Sequence, residues 1–258
     1  MVRASASMNS AKIRKLFRRP LYGLARRTAL WYLRSERRFR FEGLELDIPP
    51  GVFHPGLFFT SLFLIDALRG EDLSGKTLLE LGAGSGLISL WSAKRGAAVT
   101  ATDISPLAVT AVERNVRSNL EPSGLSGRLP RVIHSDLFDK VPREAFDWVV
   151  INPPFYPKTP RTDAQRAWFC GKDFQYFEKL FGQIGDYIGP ATTVLMLLSE
   201  DCDIPRIRGI AGRNGLALRL EKRKRFFIED MSVFSLHRGS GGLPETGGSR
   251  RPGEGQNP

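Results

Sequence analysis

The stretch Phe146-Asp147-Trp148-Val149-Val150-Ile151-Asn152-Pro153-Pro154-Phe155-Tyr156-Pro157 carries an apolar run straight into an amide, two prolines and two aromatics. The Asn152 side-chain oxygen and the Pro153 carbonyl are two hydrogen-bond acceptors in succession. Such a pair suits an NH₂ group whose nitrogen lone pair is conjugated. Holding both hydrogens lets the nitrogen turn tetrahedral as it attacks. Pro153 and Pro154 fix φ and remove donors, so the acceptors are set in advance. Phe155, or else Tyr156, offers a flat wall for a planar group. Pro-Pro by itself equally marks a turn that ends a strand.

A second constellation lies upstream. Leu78-Leu79-Glu80-Leu81-Gly82-Ala83-Gly84-Ser85-Gly86 leaves one apolar run and enters another. Glycines at 82, 84 and 86 allow a tight turn and close approach to a ligand, and the following helix start offers free N–H groups. A dinucleotide fingerprint requires glycine at 87, where Leu87 stands. Glu80, just ahead of the glycines, suits a cationic ligand better than a pyrophosphate. Asp103, followed by Ile104, ends the next strand, where a carboxylate can accept both hydroxyls of a ribose. Asp136 ends the third, placed to accept from an adenine amine while Leu137 packs on the ring. Each acid alone could be a helix cap or a solvated loop residue. Together they describe a ligand with ribose, adenine and positive charge but no pyrophosphate, which is S-adenosylmethionine.

Alternating patterns position these residues. Strands are expected at Thr77–Leu81, Ala98–Thr102, Arg131–Ser135, Phe146–Ile151, Thr192–Ser199, Leu216–Arg225 and Met231–His237. Helices are expected at Leu57–Leu68, Leu87–Lys94, Pro106–Leu120 (Ser105 as cap), Phe174–Ile188 and Ile204–Gly212. Interleaving predicts an α/β fold, a seven-stranded mostly parallel sheet covered on both faces, with one of the last two strands antiparallel. Phe39 and Phe41, then Leu44, Leu46 and Ile48, flank Glu42-Gly43 and read as a leading hairpin over 39–50. One domain therefore spans 39–238, after an arm at 1–38 and before a disordered tail at 239–258.

The net charge of +11 over 258 residues is concentrated in the arm. Residues 1–40 hold 12 Lys or Arg against Glu36 alone, and the remainder balances. Such an arm, helical over Ala11–Leu33 with a break at Pro20, attracts polyanions such as RNA or a ribosome surface. Its Arg-rich, acid-poor composition also fits a mitochondrial presequence, and it equally fits a plain solvated extension. A cytoplasmic protein is expected, or a mitochondrial one should the arm act as a presequence. Cys170 and Cys202 encode no disulfide framework or cysteine-rich metal site. No apolar run reaches the length of a membrane span.

With these motifs in place, the region from about Val52 to Leu236 resembles class I S-adenosylmethionine-dependent methyltransferases of the small-domain group. Within that group it is most similar to the HemK-like glutamine methyltransferases of release factors. Val52-Phe53-His54-Pro55 with Leu62–Leu68, Glu80–Gly86, Asn152–Phe155, and Ala167-Trp168 with Gly171-Lys172 carry the likeness. The resemblance implies that Glu80, Gly82, Gly84, Asp103 and Asp136 bind cofactor and that Asn152 with Pro153 holds the target nitrogen. It also places Thr60 on the substrate side and implies a release factor-like protein partner. Amino-methyltransferases of RNA and DNA share the cofactor-loop and clamp motifs, so a nucleobase amine stands beside glutamine as acceptor. A non-catalytic RNA- or protein-binding module on the same fold is a further alternative, which the intact Asn152 motif opposes. The chain departs from the release-factor group in its basic arm, and in Leu57-Phe58-Phe59 where acids usually precede the threonine.

His54 sits in sequence where the mouth of such a site is expected, a substrate-side candidate beside the commoner reading of a loop residue. Cys170 and Trp148 read as structural. Lys222-Arg223-Lys224-Arg225 reads as a solvated hairpin face or part of a polyanion footprint.

Overall fold

The computed structural model describes residues 34–122, 129–200, 202–226 and 230–239. The arm helix expected at Ala11–Leu33 and the tail beyond residue 239 lie outside them. A β-hairpin comes first, β1 (Arg37–Phe41) and β2 (Leu44–Ile48). Its two-residue turn has Glu42 and Gly43 at φ 46° and 74°, the left-handed pair that matches strand twist. Strands β3 (Thr77–Leu81), β4 (Ala98–Asp103), β5 (Arg131–His134), β6 (Trp148–Ile151), β7 (Thr193–Ser199), β8 (Leu216–Arg225) and β9 (Asp230–Arg238) form one sheet, ordered β5-β4-β3-β6-β7-β9-β8. Strand β9 runs antiparallel to both its neighbours, and the other pairs are parallel. This is the sheet expected from sequence.

Helices α1 (Pro55–Phe58), α2 (Thr60–Leu68), α3 (Leu87–Ala93), α4 (Pro106–Leu120), α5 (Asp163–Arg166), α6 (Gln175–Ile184) and α7 (Ile204–Arg213) complete the described elements. Every residue of α3 is buried, which requires cover on its outer side as well as the sheet beneath. The hairpin supplies that cover. Glu42 at the hairpin turn accepts from Trp91 Nε1 at 2.9 Å, from Arg69 at 2.6 Å and from Arg95 at 3.1 Å.

Helix α4 grips the hairpin through two asparagines one turn apart. Asn119 accepts from the Glu45 N–H at 2.8 Å and donates to its carbonyl at 2.9 Å. Asn115 accepts from the Asp47 N–H at 2.9 Å and donates to Asp47 O and Ser85 O at 3.1 and 3.0 Å. It is 1% exposed. One buried amide therefore joins the hairpin to the loop after β3.

Most element ends shift by a residue or two from the sequence pattern, and three departures have a visible cause. The expected helix over Leu57–Leu68 is two helices, because Phe59 takes φ 55° and both ends α1 and starts α2. The helix expected over Phe174–Ile188 is α6 alone. Phe174 is left-handed (φ 63°) ahead of it, and Tyr187 beyond it donates its hydroxyl to Val141 O at 3.1 Å. Strand β6 starts at Trp148 rather than Phe146, whose N–H and carbonyl bond Tyr187 O and the Thr192 hydroxyl instead.

Candidate active site

Register brings the two motifs together. Leu81 of β3 pairs with Ile151 of β6, so the next residues, Gly82 and Asn152, leave the sheet side by side at its carboxyl edge. On the other flank Leu81 pairs with Thr102, just before Asp103. After β3 the chain builds outward through β4 and β5, and it then crosses back to place β6 on β3's other side. Ligands in open α/β sheets bind at such a switch point.

The glycine loop is held by backbone bonds. Gly82 and Ala83 N–H groups donate to Thr102 O at 2.8 and 2.9 Å, and Gly86 N–H to Ala83 O at 2.8 Å. Gly86 has φ 85°, and a Cβ there would meet Leu90 and Val112 at 3.1 Å, so any other residue would be strained and would press on both side chains. Gly84, at φ 57°, donates its N–H to Asp103 Oδ2 at 2.9 Å. The other Asp103 oxygen accepts from Ser105 N–H at 2.9 Å. Burial raises the Asp103 pKa, opposed by the N–H groups of Ser105, Gly84 and Ile104. Ile104 is half-buried, and its carbonyl lies 2.9 Å from His134 Nε2.

Glu80 differs from a carboxylate open to a ligand. It is 4% exposed, and one oxygen accepts from the Ser89 N–H at 2.8 Å and from the Ser89 hydroxyl. Burial pushes its carboxyl up to about 8, against both Ser89 bonds. Its bonds to Ser89 tie β3 to α3. Asp136 is paired with Lys179 of α6 at 2.7 Å, and Lys179 also reaches Asp139 at 2.7 Å. Leu137 is buried in a left-handed backbone, φ 53°, a strained state for a branched side chain.

Asn152 donates its Nδ2 hydrogen to Thr60 Oγ1 at 2.9 Å. Thr60, the first residue of α2, is 3% exposed. This bond turns the Asn152 oxygen away from Thr60 as an acceptor. Pro153 is buried and Pro154 half-buried. Phe155 is 7% exposed and meets Tyr156 at 4.9 Å in a T-shaped contact. Tyr156 then bonds a returning segment, its N–H to Trp168 O at 3.1 Å and its carbonyl to Cys170 N–H at 3.0 Å. The loop behind the clamp is thus fixed at both ends. Cys170 is structural here, its thiol raised to about 11 by burial.

His54 is not at the mouth. Its ring is 4% exposed, edge-on to Phe39 of β1 at 5.7 Å, and Nδ1 accepts from Gly56 N–H at 3.2 Å to cap α1. Burial lowers its pKa, favouring the neutral imidazole.

Two aromatics near the site escape the sequence reading. The Phe53 Cβ lies 3.5 Å from where a Cβ on Gly84 would stand, and its ring meets Trp168 at 5.4 Å. Tyr176 of α6 is a phenol whose pKa is raised, first by burial and then by the charges of Asp103 and Asp136, and its N–H donates to Cys170 O at 3.0 Å. The signal for Tyr176 is only an aromatic in the first turn after Gly171-Lys172. Among the described residues no cluster of His, Cys, Asp and Glu could hold a metal ion, and no helix is long and apolar enough to cross a membrane.

Residues 43–170 match the family model described as Methyltransferase small domain. A ribosomal RNA small subunit methyltransferase C of Alcanivorax borkumensis is 39% identical over 44% of this chain and 33% of its own length. A putative protein N5-glutamine methyltransferase of Methanocaldococcus jannaschii is 35% identical over 45% of this chain and 53% of its own. The chain thus spans about half or less of the length of these relatives. Among solved structures, the T. thermophilus 16S rRNA methyltransferase in complex with AdoMet and guanosine has TM-score 0.55 at 21% identity, covering 79% of this chain and 50% of that one. The E. cuniculi Mtq2-Trm112 complex, responsible for methylation of the eRF1 termination factor, has TM-score 0.54 at 20% identity, covering 73% and 99%. The fold is that of the class I, Rossmann-like methyltransferases.

Proposed function

We propose that the protein is an S-adenosylmethionine-dependent methyltransferase acting on a planar, conjugated NH₂ nitrogen. The carrying observation is the pairing of Leu81 with Ile151, which stands the glycine loop beside Asn152.

The residues fit the cofactor. A Cβ added at Gly82 would meet nothing within 4 Å, so the backbone is open to close approach. Asp103 is fixed by two N–H groups and keeps lone pairs for a ribose. Gly82, Ala83, Gly84 and Gly86 line the turn, Ile104 and Leu137 would border an adenine, and Asp136, held by Lys179, would accept from its amine. Glu80 contributes as a buried acid beneath the loop rather than as an open partner. When bound, the cofactor supplies an electrophilic methyl group on a sulfonium.

The chain's own task is to present the nitrogen. Asn152 Oδ1 and the Pro153 carbonyl accept the two NH₂ hydrogens, and the Thr60 bond holds the amide in that sense. Pro153 and Pro154 keep the acceptors from swinging. Phe155 and Tyr156 border the planar group. Positioning of this kind, without a general base, accounts for a large part of catalysis.

Two acceptors have this chemistry. A protein glutamine amide is favoured by the four matched segments and by the N5-glutamine relative. A nucleobase amine is favoured by the ribosomal RNA relative and by the polyanion-attracting arm. Incubation with tritiated-methyl cofactor and cell extract separates them. Label lost to protease identifies protein, label lost to RNase identifies RNA, and no label contradicts the proposal.

A further inference from the structure

The residue before Thr60 is Phe59, 47% exposed and left-handed at φ 55°. A bulky side chain there is a backbone outlier, and outliers of this kind cluster at functional sites. Its ring stacks on Phe226 with centroids 6.1 Å apart and planes 15° from parallel. Phe226 in turn meets buried Phe63 edge-on at 5.8 Å.

The end of β8 lies along the same stripe of α2. Lys222 pairs with Asp66 at 2.7 Å, and the Lys224 ammonium sits 5.6 Å from the Phe226 ring and 6.0 Å from Phe63. From Arg219 to Arg225 the strand carries five exposed cations, of which Arg219, Lys222, Arg223 and Arg225 pair with Glu221, Asp66, Glu200 and Asp230, while Lys224 lies against the aromatic rings. An exposed aromatic stack edged by cations thus begins one residue from the group that orients Asn152.

We infer that Phe59 and Phe226, with the β8 cations, form a stacking platform for the nucleotide next to the methylated one, so that the acceptor strand is single-stranded RNA. This rests on the reading of Asn152 as an NH₂ clamp and narrows its substrate class. A stacked ring grips the π-face every base has, and adjacent cations take the phosphates. Every nucleotide brings such a face, whereas a protein loop does so only where it happens to carry a planar side chain. Single strands suit the clamp too, because a base in a duplex has its amine paired and stacked away.

The test uses the full chain, a fluorescein-labelled 12-nucleotide single-stranded RNA of mixed sequence, and anisotropy at several salt concentrations. Phe59→Asn removes the ring, yet asparagine tolerates the left-handed backbone and is a favoured helix N-cap. Its melting temperature should equal or exceed the parent's, while RNA affinity falls by about tenfold or more with an unchanged salt slope. Phe59→Trp should retain affinity, and Lys224→Gln should lower the salt slope by about 1.

Unchanged RNA affinity in Phe59→Asn overturns the platform. So does a loss of affinity accompanied by a lower melting temperature and weaker cofactor binding, which would make the ring structural. Methylation of a protein glutamine that depends on Phe59 while RNA binding does not also overturns it. Calorimetry with S-adenosylmethionine runs alongside. Intact cofactor binding confines any failure to the platform, whereas absent cofactor binding removes the enzymatic reading itself.

Discussion

The Thr60 hydroxyl accepts a hydrogen bond from the Asn152 side-chain amide at 2.9 Å, across 92 residues of sequence. Both residues sit at element boundaries, one opening α2 and one following β6. If the bond sets the direction of the Asn152 oxygen, Thr60→Val should slow methyl transfer by about tenfold, the effect of one lost buried hydrogen bond. Cofactor affinity should be unchanged, and Thr60→Ser should restore most of the rate. The check is single-turnover transfer at saturating cofactor, beside calorimetric cofactor binding.

Asp103 is the residue proposed to hold the cofactor ribose. Asp103→Ala should weaken S-adenosylmethionine binding by about 30- to 100-fold, since two charge-assisted hydrogen bonds to the ribose are lost. Part of that loss also reflects the freed Gly84 N–H. NAD should bind neither protein detectably. Calorimetry checks both statements.

Asn115 couples the hairpin to the glycine loop. Asn115→Ala removes three hydrogen bonds at a buried position and should cost about 2–3 kcal/mol of stability. Cofactor affinity should drop as well, because the Ser85 carbonyl loses its anchor. Denaturant unfolding with and without cofactor measures both effects. A variant that is less stable but binds cofactor normally would sever the hairpin from the site.

Glu80 predicts a pH dependence. Its folded pKa, about 8, lies above the ordinary 4.5, so the folded state holds the proton more tightly than the unfolded one. Stability from this group is full below about pH 4.5, declines as pH rises toward 8, and is level above that. Glu80→Gln mimics the neutral form and should flatten the melting temperature between pH 5 and 8. An identical slope in parent and variant would mean that Glu80 is charged when buried.

Much of the frame was legible in the sequence because its signals are local. The glycine spacing at 82, 84 and 86, the Ser105-Pro106 helix start and the apolar strands each announce themselves within a dozen residues. What escaped depends on contacts between distant segments. Apolar periodicity reads straight through Phe59, so the break between α1 and α2 is invisible without the left-handed φ. His54 looks like a site residue beside Pro55, yet Phe39, far back in the hairpin, turns it into a buried cap. Glu80 has the position of a ligand acid, and only the fold shows that Ser89 on α3 bonds one of its carboxyl oxygens. Tyr176 has no motif at all, and only the packing of α6 sets its N–H on the Cys170 carbonyl. Partnership of Thr60 with Asn152 likewise belongs to the fold.

Single-turnover methyl transfer by Asn152→Ala decides whether Asn152 holds the reacting nitrogen. Cofactor affinity should stay within about twofold of the parent, because Asp103 and the glycine loop are untouched. Transfer should slow by about 10²–10³, the usual effect of removing one preorganised group at a reacting centre. Pro153→Ala should be milder, since the carbonyl remains and only its rigidity is reduced. Transfer by Asn152→Ala at the parent rate, with cofactor bound normally, would contradict the clamp and place catalysis elsewhere.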